Sequence, residues 1–106
     1  IRKVGGEAVF IKTNVAQSSE VEDLVSKTVA TCHRLDYAFN NAGIGGGGPL
    51  HEFTEEDWDR IVDINLKGTW LCMKYQIRQM LKQGSGAIVN NSSGAGLTGY
   101  SCSPLY

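Results

Sequence analysis

Apolar positions recur along this chain with two periods, and each change of period marks a new element. "EAVFIKTN", Glu7 to Asn14, is rich in β-branched and aromatic side chains and ends polar, which predicts a strand. In "SSEVEDLVSKTVATCHR" the residues Val21, Leu24, Val25, Thr28, Val29 and Cys32 fall three and four apart, so one face of a helix is apolar. Ser19 and Glu22 stand at capping-box spacing near its start. "LDYAFNNAG" returns to a short apolar run, Leu35 to Phe39, which stops at two asparagines and a glycine and predicts a second strand entering a loop. Gly45 to Gly48 cannot hold regular structure. Thr54, with Asp57 at the box position, caps a long helix whose stripe runs through Trp58, Ile61, Val62, Asn65, Thr69, Cys72 and Met73. Trp58, Trp70 and Tyr75 are expected to be packing residues, and Gly68 to mark a bend or a close contact. After Gly84-Ser85-Gly86, "AIVNNSS" is the third strand.

Strands alternating with helices imply an α/β fold, with a parallel sheet covered on both faces. Ligands of such sheets bind at the carboxyl ends of the strands. All three strands here end in amides or hydroxyls: Asn14, Asn40 to Gly43, and Asn91 to Ser93. Their convergence points to a site that no single motif identifies. Asn65 adds to it. An amide on an apolar stripe needs partners or costs a few kcal/mol, so it either staples a neighbouring loop or holds a functional group or water. Ser92 and Ser93 either cap the turn after the strand or offer a hydroxyl to a substrate oxygen. No Gly-x-Ser-x-Gly elbow surrounds them, which argues against a serine hydrolase.

Bulk properties narrow the classes. With 106 residues, 42% apolar and 20% charged, the chain makes one small globular domain. A net charge of −1, with acids and bases interspersed, gives no nucleic-acid footprint and no basic patch for a membrane surface. The apolar runs are too short to span a bilayer, and no signal-peptide pattern opens the chain. Cys32, Cys72 and Cys102 are widely spaced and odd in number, which reads as free thiols in a reducing compartment, the cytoplasm. His33 and His51 stand alone, so no metal site is expected. The first residue is not Met, and both ends look cut, as in a segment of a longer protein.

"NNAG" at Asn40–Gly43, "IVDINLKGT" at Ile61–Thr69, "GAIVNNSSGAG" at Gly86–Gly96 and "SPLY" at Ser103–Tyr106 together resemble the classical short-chain dehydrogenase/reductase family. The motifs run in order through the whole chain, and Tyr106 follows Ser93 by thirteen residues, the family's usual gap. The resemblance implies the central part of one NAD(P)-binding, Rossmann-type doubly wound parallel sheet over residues 1–106, strands three to five with their intervening helices, truncated at both ends. It implies an oxidoreductase that transfers hydride between NAD or NADP and a secondary alcohol or ketone. Tyr106 resembles the catalytic acid/base, Ser93 the residue that orients the substrate, and Asn65 the helix asparagine that holds a water leading to solvent. The family's lysine would be position 110, beyond this chain, and its glycine-rich phosphate loop would precede it.

The same resemblance places Asn40, Ala42 and Gly43 beside the cofactor's adenine ribose. Asn14 and Val15 stand at its adenine edge, where Asn replaces the family's usual Asp, and Asn91 lies near the nicotinamide. Tyr100 lies in the segment that lines the substrate pocket. An unassisted phenol is a weak base at neutral pH, so the chemistry needs positive charge around Tyr106 to favour phenolate. The long helix is apolar on more than one face, which predicts a homo-oligomer, a dimer or tetramer, in the whole protein. Two rival readings are a non-catalytic nucleotide-binding relative and an inactive truncated product. In the family's sheet the third strand is separated from the fourth and fifth by the first and second. The 106 residues alone are therefore expected not to fold cooperatively, and without the phosphate loop and the lysine that the resemblance places outside them, to bind neither NAD nor NADP and to be inactive.

Overall fold

A computed structural model describes residues 1–99 and 103–106, without the side chain of Arg2. Helix α1 spans Ser18–Cys32 and strand β1 Tyr37–Asn40. Helix α2, Glu55–Val62, passes through a π-helical turn at Asp63–Lys67 into α3, Gly68–Gln83, and strand β2 is Ala87–Asn90. Short 3₁₀ turns occupy Arg2–Val4, Leu50–Glu52 and Gly94–Gly96.

β1 and β2 pair in parallel, with Tyr37 opposite Ala87 and Asn40 opposite Asn90. The crossover between them is the α2–α3 helix, as the alternation of strands and helices requires. Alternating side chains divide the sheet into two faces. Ala38, Asn40 and Ile88 are half-buried on the face that meets α3. Tyr37, Phe39 and Val89 remain 82%, 65% and 58% exposed on the other. The expected cover on both faces is thus present on one, because no described element reaches the second.

Glu7–Asn14 is the other departure. These residues form no strand, since the sheet has two strands and this segment belongs to neither. A β-rich composition does not make a strand without a neighbour to ladder with.

From Asn14 onward the chain is well organised. The Asn14 Oδ1 accepts from the Ala16 N–H at 3.1 Å, and the Asn14 carbonyl accepts from the Gln17 N–H at 3.0 Å. The Glu20 carboxylate accepts from the Asn14 N–H at 2.7 Å. This turn presents the Gln17 carbonyl to the Val21 N–H and starts α1 at Ser18, one residue ahead of the expected Ser19 cap, so the Ser19–Glu22 capping box does not form. α1 lies on α3, and the core is Val21, Val25, Leu71, Cys72 and Tyr75, with Val15 and Leu35 against it. The Tyr75 hydroxyl shares a 2.7 Å hydrogen bond with the Ser18 hydroxyl, which ties the start of α1 to the middle of α3.

The capping box expected at Thr54 and Asp57 forms in both directions. The Thr54 N–H is the largest influence holding the Asp57 carboxyl below its ordinary range. Tyr75 is buried as expected, but Trp58 and Trp70 are 54% and 55% exposed, on the side of the long helix turned from the core. Gly68 is a close contact: a Cβ there would lie 2.8 Å from Val15 Cγ2. Gly68→Ala therefore sets a helix-propensity gain of about 1 kcal/mol against an overpacking cost of about 1–3 kcal/mol. We expect a net loss of about 1 kcal/mol in urea denaturation of the whole protein, partly recovered by adding Val15→Ala.

Candidate functional site

The carboxyl ends of β1 and β2 meet the π turn around a cavity of about 170 Å³. Ala42, Gly43, Asn65, Asn91, Ser93 and Tyr106 all line it, joined by Asn41, Thr69, Ser92 and Gly96. Residues from four separate stretches of sequence are thereby brought to one place.

Asn65 sits within the π turn, a helix form that often marks functional positions. Its Nδ2 donates to the Ile44 carbonyl and its Oδ1 accepts from the Ile44 N–H, both at 2.9 Å. The side chain is thus the staple of a neighbouring loop, with both polar ends engaged. A Cβ on Gly43 would stand 3.4 Å from Asn65 Oδ1, in ordinary contact with this pairing. The Asn65 carbonyl accepts from the Thr69 hydroxyl at 2.9 Å.

Ser93 caps the 3₁₀ turn Gly94–Gly96, its Oγ accepting from the Ala95 N–H at 3.2 Å. A hydroxyl that accepts in a cap keeps its own proton to donate. Capping and substrate contact are therefore compatible in one residue. Tyr106 closes a turn in which its N–H donates to the Ser103 carbonyl at 3.1 Å, and its side chain is half-exposed at the cavity. The Asn91 Nδ2 donates to the Asn41 Oδ1 at 2.7 Å, so the wall between the strand ends is a pair of amides.

A second cavity of about 210 Å³ adjoins the first and shares Asn41, Ala42 and Thr69 with it. Val15 and Asn40 line this one, beside Phe39, Cys72 and Gln76. Burial raises the pKa of the Cys72 thiol above the usual range and keeps it neutral. Asn14 lines neither cavity, and its amide oxygen is engaged by the Ala16 N–H. Tyr100, expected at the substrate, lies outside the described residues, as does Cys102.

Two residues at the site went unread in the sequence. Gln76 pairs reciprocally with the Asn40 amide at 2.7 and 3.0 Å. Thr69 stood on the expected stripe only as a packing position. Continued past Cys72, that stripe reaches Gln76, Met80 and Gln83, so the test that singled out Asn65 also marks Gln76.

The loop Gly43-Ile44-Gly45-Gly46-Gly47-Gly48 has the spacing of a dinucleotide phosphate loop, and the structure argues against that role. It leads to Pro49 and a 3₁₀ turn, and the next helix opens with Glu55, Glu56 and Asp57, which repel phosphate. A Cβ on Gly46 would lie 2.9 Å from Ile61 Cδ1, so this glycine serves packing.

Residues 1–106 match the family described as short chain dehydrogenase. The chain belongs to the short-chain dehydrogenase family. It is 50% identical over 99 residues to an uncharacterized oxidoreductase of Thermotoga maritima, covering 93% of this chain and 39% of that protein. It is 46% identical over 97 residues to a 2,5-dichloro-2,5-cyclohexadiene-1,4-diol dehydrogenase of Sphingobium indicum, covering 90% of this chain and 39% of that one. Its fold matches the crystal structure of an NAD+-bound xylitol dehydrogenase with a TM-score of 0.92 at 33% identity, over 99% of this chain and 41% of that one. It matches ElxO with NADP bound with a TM-score of 0.85 at 38% identity, over 92% of this chain and 40% of that one. The chain thus spans about two fifths of the length of these relatives. The short-chain dehydrogenase likeness makes the architecture part of a Rossmann-type parallel α/β fold, with the cavity at the strand ends.

Removing the Asn65 side chain strands two backbone groups of Ile44. Asn65→Ala is expected to cost about 1–3 kcal/mol and to speed amide exchange at Ile44, while Asn65→Asp, which keeps an acceptor for the Ile44 N–H, costs less. Urea denaturation and hydrogen exchange of the whole short-chain dehydrogenase check both.

Proposed function

We propose that this protein is an NAD(P)-dependent oxidoreductase acting between a secondary alcohol and its ketone. One observation carries the reading: Asn65, Ser93 and Tyr106 share a cavity with Ala42, Gly43 and Asn91 at the strand ends. The NADP of ElxO and the NAD+ of xylitol dehydrogenase support a cofactor of this class. The residues present fit part of such a ligand. Two adjoining cavities run along the strand ends, and their shared wall includes the small side chain of Ala42 next to Gly43, where a ligand can approach the main chain.

When bound, the nicotinamide cofactor accepts or supplies the hydride. The chain's own residues handle the proton and the geometry. Tyr106 exchanges a proton with the substrate oxygen through its phenol. Ser93, anchored by the Ala95 N–H, donates its remaining proton to the same oxygen and steadies the charge that develops there. Asn65 acts by fixing Ile44, next to Gly43 in the cavity wall. Asn40 and Asn91 hold that wall, Val15 serves the adenine side with Asn14 acting there through the turn it forms before α1, and Tyr100 meets the substrate. The compartment in this reading is the cytoplasm, and the described helices include none long and apolar enough to cross a membrane.

In the whole protein, Tyr106→Phe should abolish turnover while cofactor binding, read by fluorescence quenching, persists. Ser93→Ala should cost less, about a hundredfold in kcat, because it removes one donor. A Tyr106→Phe enzyme with a tenth of the original kcat overturns the assignment. The whole protein is further proposed to be a dimer or tetramer, since Leu66, Trp70, Ile77 and Leu81 are 70%, 55%, 42% and 76% exposed along the π turn and α3. Analytical ultracentrifugation should show no monomer at micromolar concentration.

A further inference from the structure

Gln76 is the buried polar side chain of the described core, 8% exposed, in a helix whose other buried positions are mostly apolar. Its Nε2 donates to Asn40 Oδ1 and its Oε1 accepts from Asn40 Nδ2. That Nδ2 also donates to the Oδ1 of Asn90, the register partner of Asn40, at 2.8 Å. Asn90 Nδ2 in turn donates to Met73 Sδ at 3.0 Å, which returns the chain of contacts to α3 three residues before Gln76. The four side chains thus close a ring between the helix and the last rung of the sheet. Backbone pairing between the strands ends here, with the Asn91 N–H donating to the Asn40 carbonyl at 2.9 Å. The next side-chain pair, Asn41 with Asn91, already lines the cavity, and Ser93 lies two residues beyond.

We infer that Gln76 is a positioning residue: by clamping Asn40 against Asn90 it fixes the distance between the cavity wall at Asn41–Gly43 and the wall at Asn91–Ser93. Replacing such a hydrogen-bonded pair together by well-packed apolar side chains is often neutral in stability, so the Gln76–Asn40 pair is explained by the geometry it imposes and not by the burial. The inference rests on the proposed activity for its kinetic consequence and on hydrogen bonding alone for its structural one. Gln76 lines the second cavity, but its Nε2 and Oε1 are both paired with Asn40, so its loss should spoil the alignment of Ser93 and Tyr106 more than it weakens binding.

The experiment uses the whole protein. Gln76→Leu should lower kcat about tenfold with the substrate KM and the cofactor Kd within threefold, in a protein whose circular dichroism and thermal transition show that it is folded. Asn90→Ala, at an exposed position, cuts the same ring on the β2 side and should act in the same direction. The double variant should be no worse than Gln76→Leu alone, the non-additivity expected of residues that act as a unit. A folded Gln76→Leu protein with kcat within twofold of the original overturns the inference, as do losses that multiply in the double variant. A second readout needs no activity. The side-chain amide NMR signals of Asn41 and Asn91, neither of which touches Gln76, should shift and exchange faster in Gln76→Leu. Signals unchanged from the original protein overturn the inference. If the original protein turns over no alcohol or ketone, the proposed function fails and the NMR result alone decides the clamp. If Gln76→Leu does not fold, the Asn90→Ala kinetics and spectra decide it.

Discussion

Three amides on one helical stripe hold β1 in place, and most of what is organised here depends on them. Gln83 pairs with both backbone groups of Leu35, accepting from its N–H at 3.2 Å and donating to its carbonyl at 2.6 Å, just before the strand. Gln76 pairs with the Asn40 side chain at the strand's end, and Asn65 with both backbone groups of Ile44 beyond it. As the chain advances along β1 the partner moves back along the helix. A two-stranded sheet of four-residue strands has little stability of its own. The helix supplies the missing constraint through groups that each meet a donor and an acceptor together, which is the arrangement that leaves no polar atom stranded.

The same helix has to admit the loop before α1. The π turn at Asp63–Lys67 and the bare Cα of Gly68 come together where Val15 approaches, so the Val15 side chain lies against helix backbone. Val15 and Asn40 then share the second cavity, one from the loop and one from the strand. A local irregularity in the helix therefore sets both walls of the site: through Asn65 it holds Ile44, and through Gly68 it holds Val15.

The sequence made the helices, both paired strands and the Thr54 cap legible because each rests on local spacing. It also brought together Asn41–Gly43 and Asn91–Ser93, since the carboxyl ends of parallel strands converge whatever their composition, while Tyr106 was reached only through the family resemblance. The segment expected as a strand at Glu7–Asn14 has no ladder for a non-local reason: pairing is supplied by a neighbour, and the resemblance separates this segment from the two strands that pair here. Trp58 and Trp70 misled in the same way. Their bulk marks them as packing residues, but the interior is chosen by what packs against the helix, and α1 covers Leu71, Cys72 and Tyr75. Asn65 stands out in the sequence as an amide on an apolar stripe, yet whether it holds a loop or a water turns on where Ile44 lies, and no spacing encodes that.

The amide pair at the mouth of the cavity also gives the site a chemical lifetime. Asn91 is followed by Ser92, a small residue that lets the backbone nitrogen reach the side-chain carbonyl, and amides are among the thermolabile groups of proteins. Deamidation there would replace the NH2 that now donates to Asn41 by a carboxylate oxygen. Two acceptors would then face each other across 2.7 Å until the Asn41 amide turned over. It would also put a negative charge beside Ser93, where the proposed reaction develops one of its own. The hydrogen bond that closes the wall therefore depends on Asn91 remaining an amide.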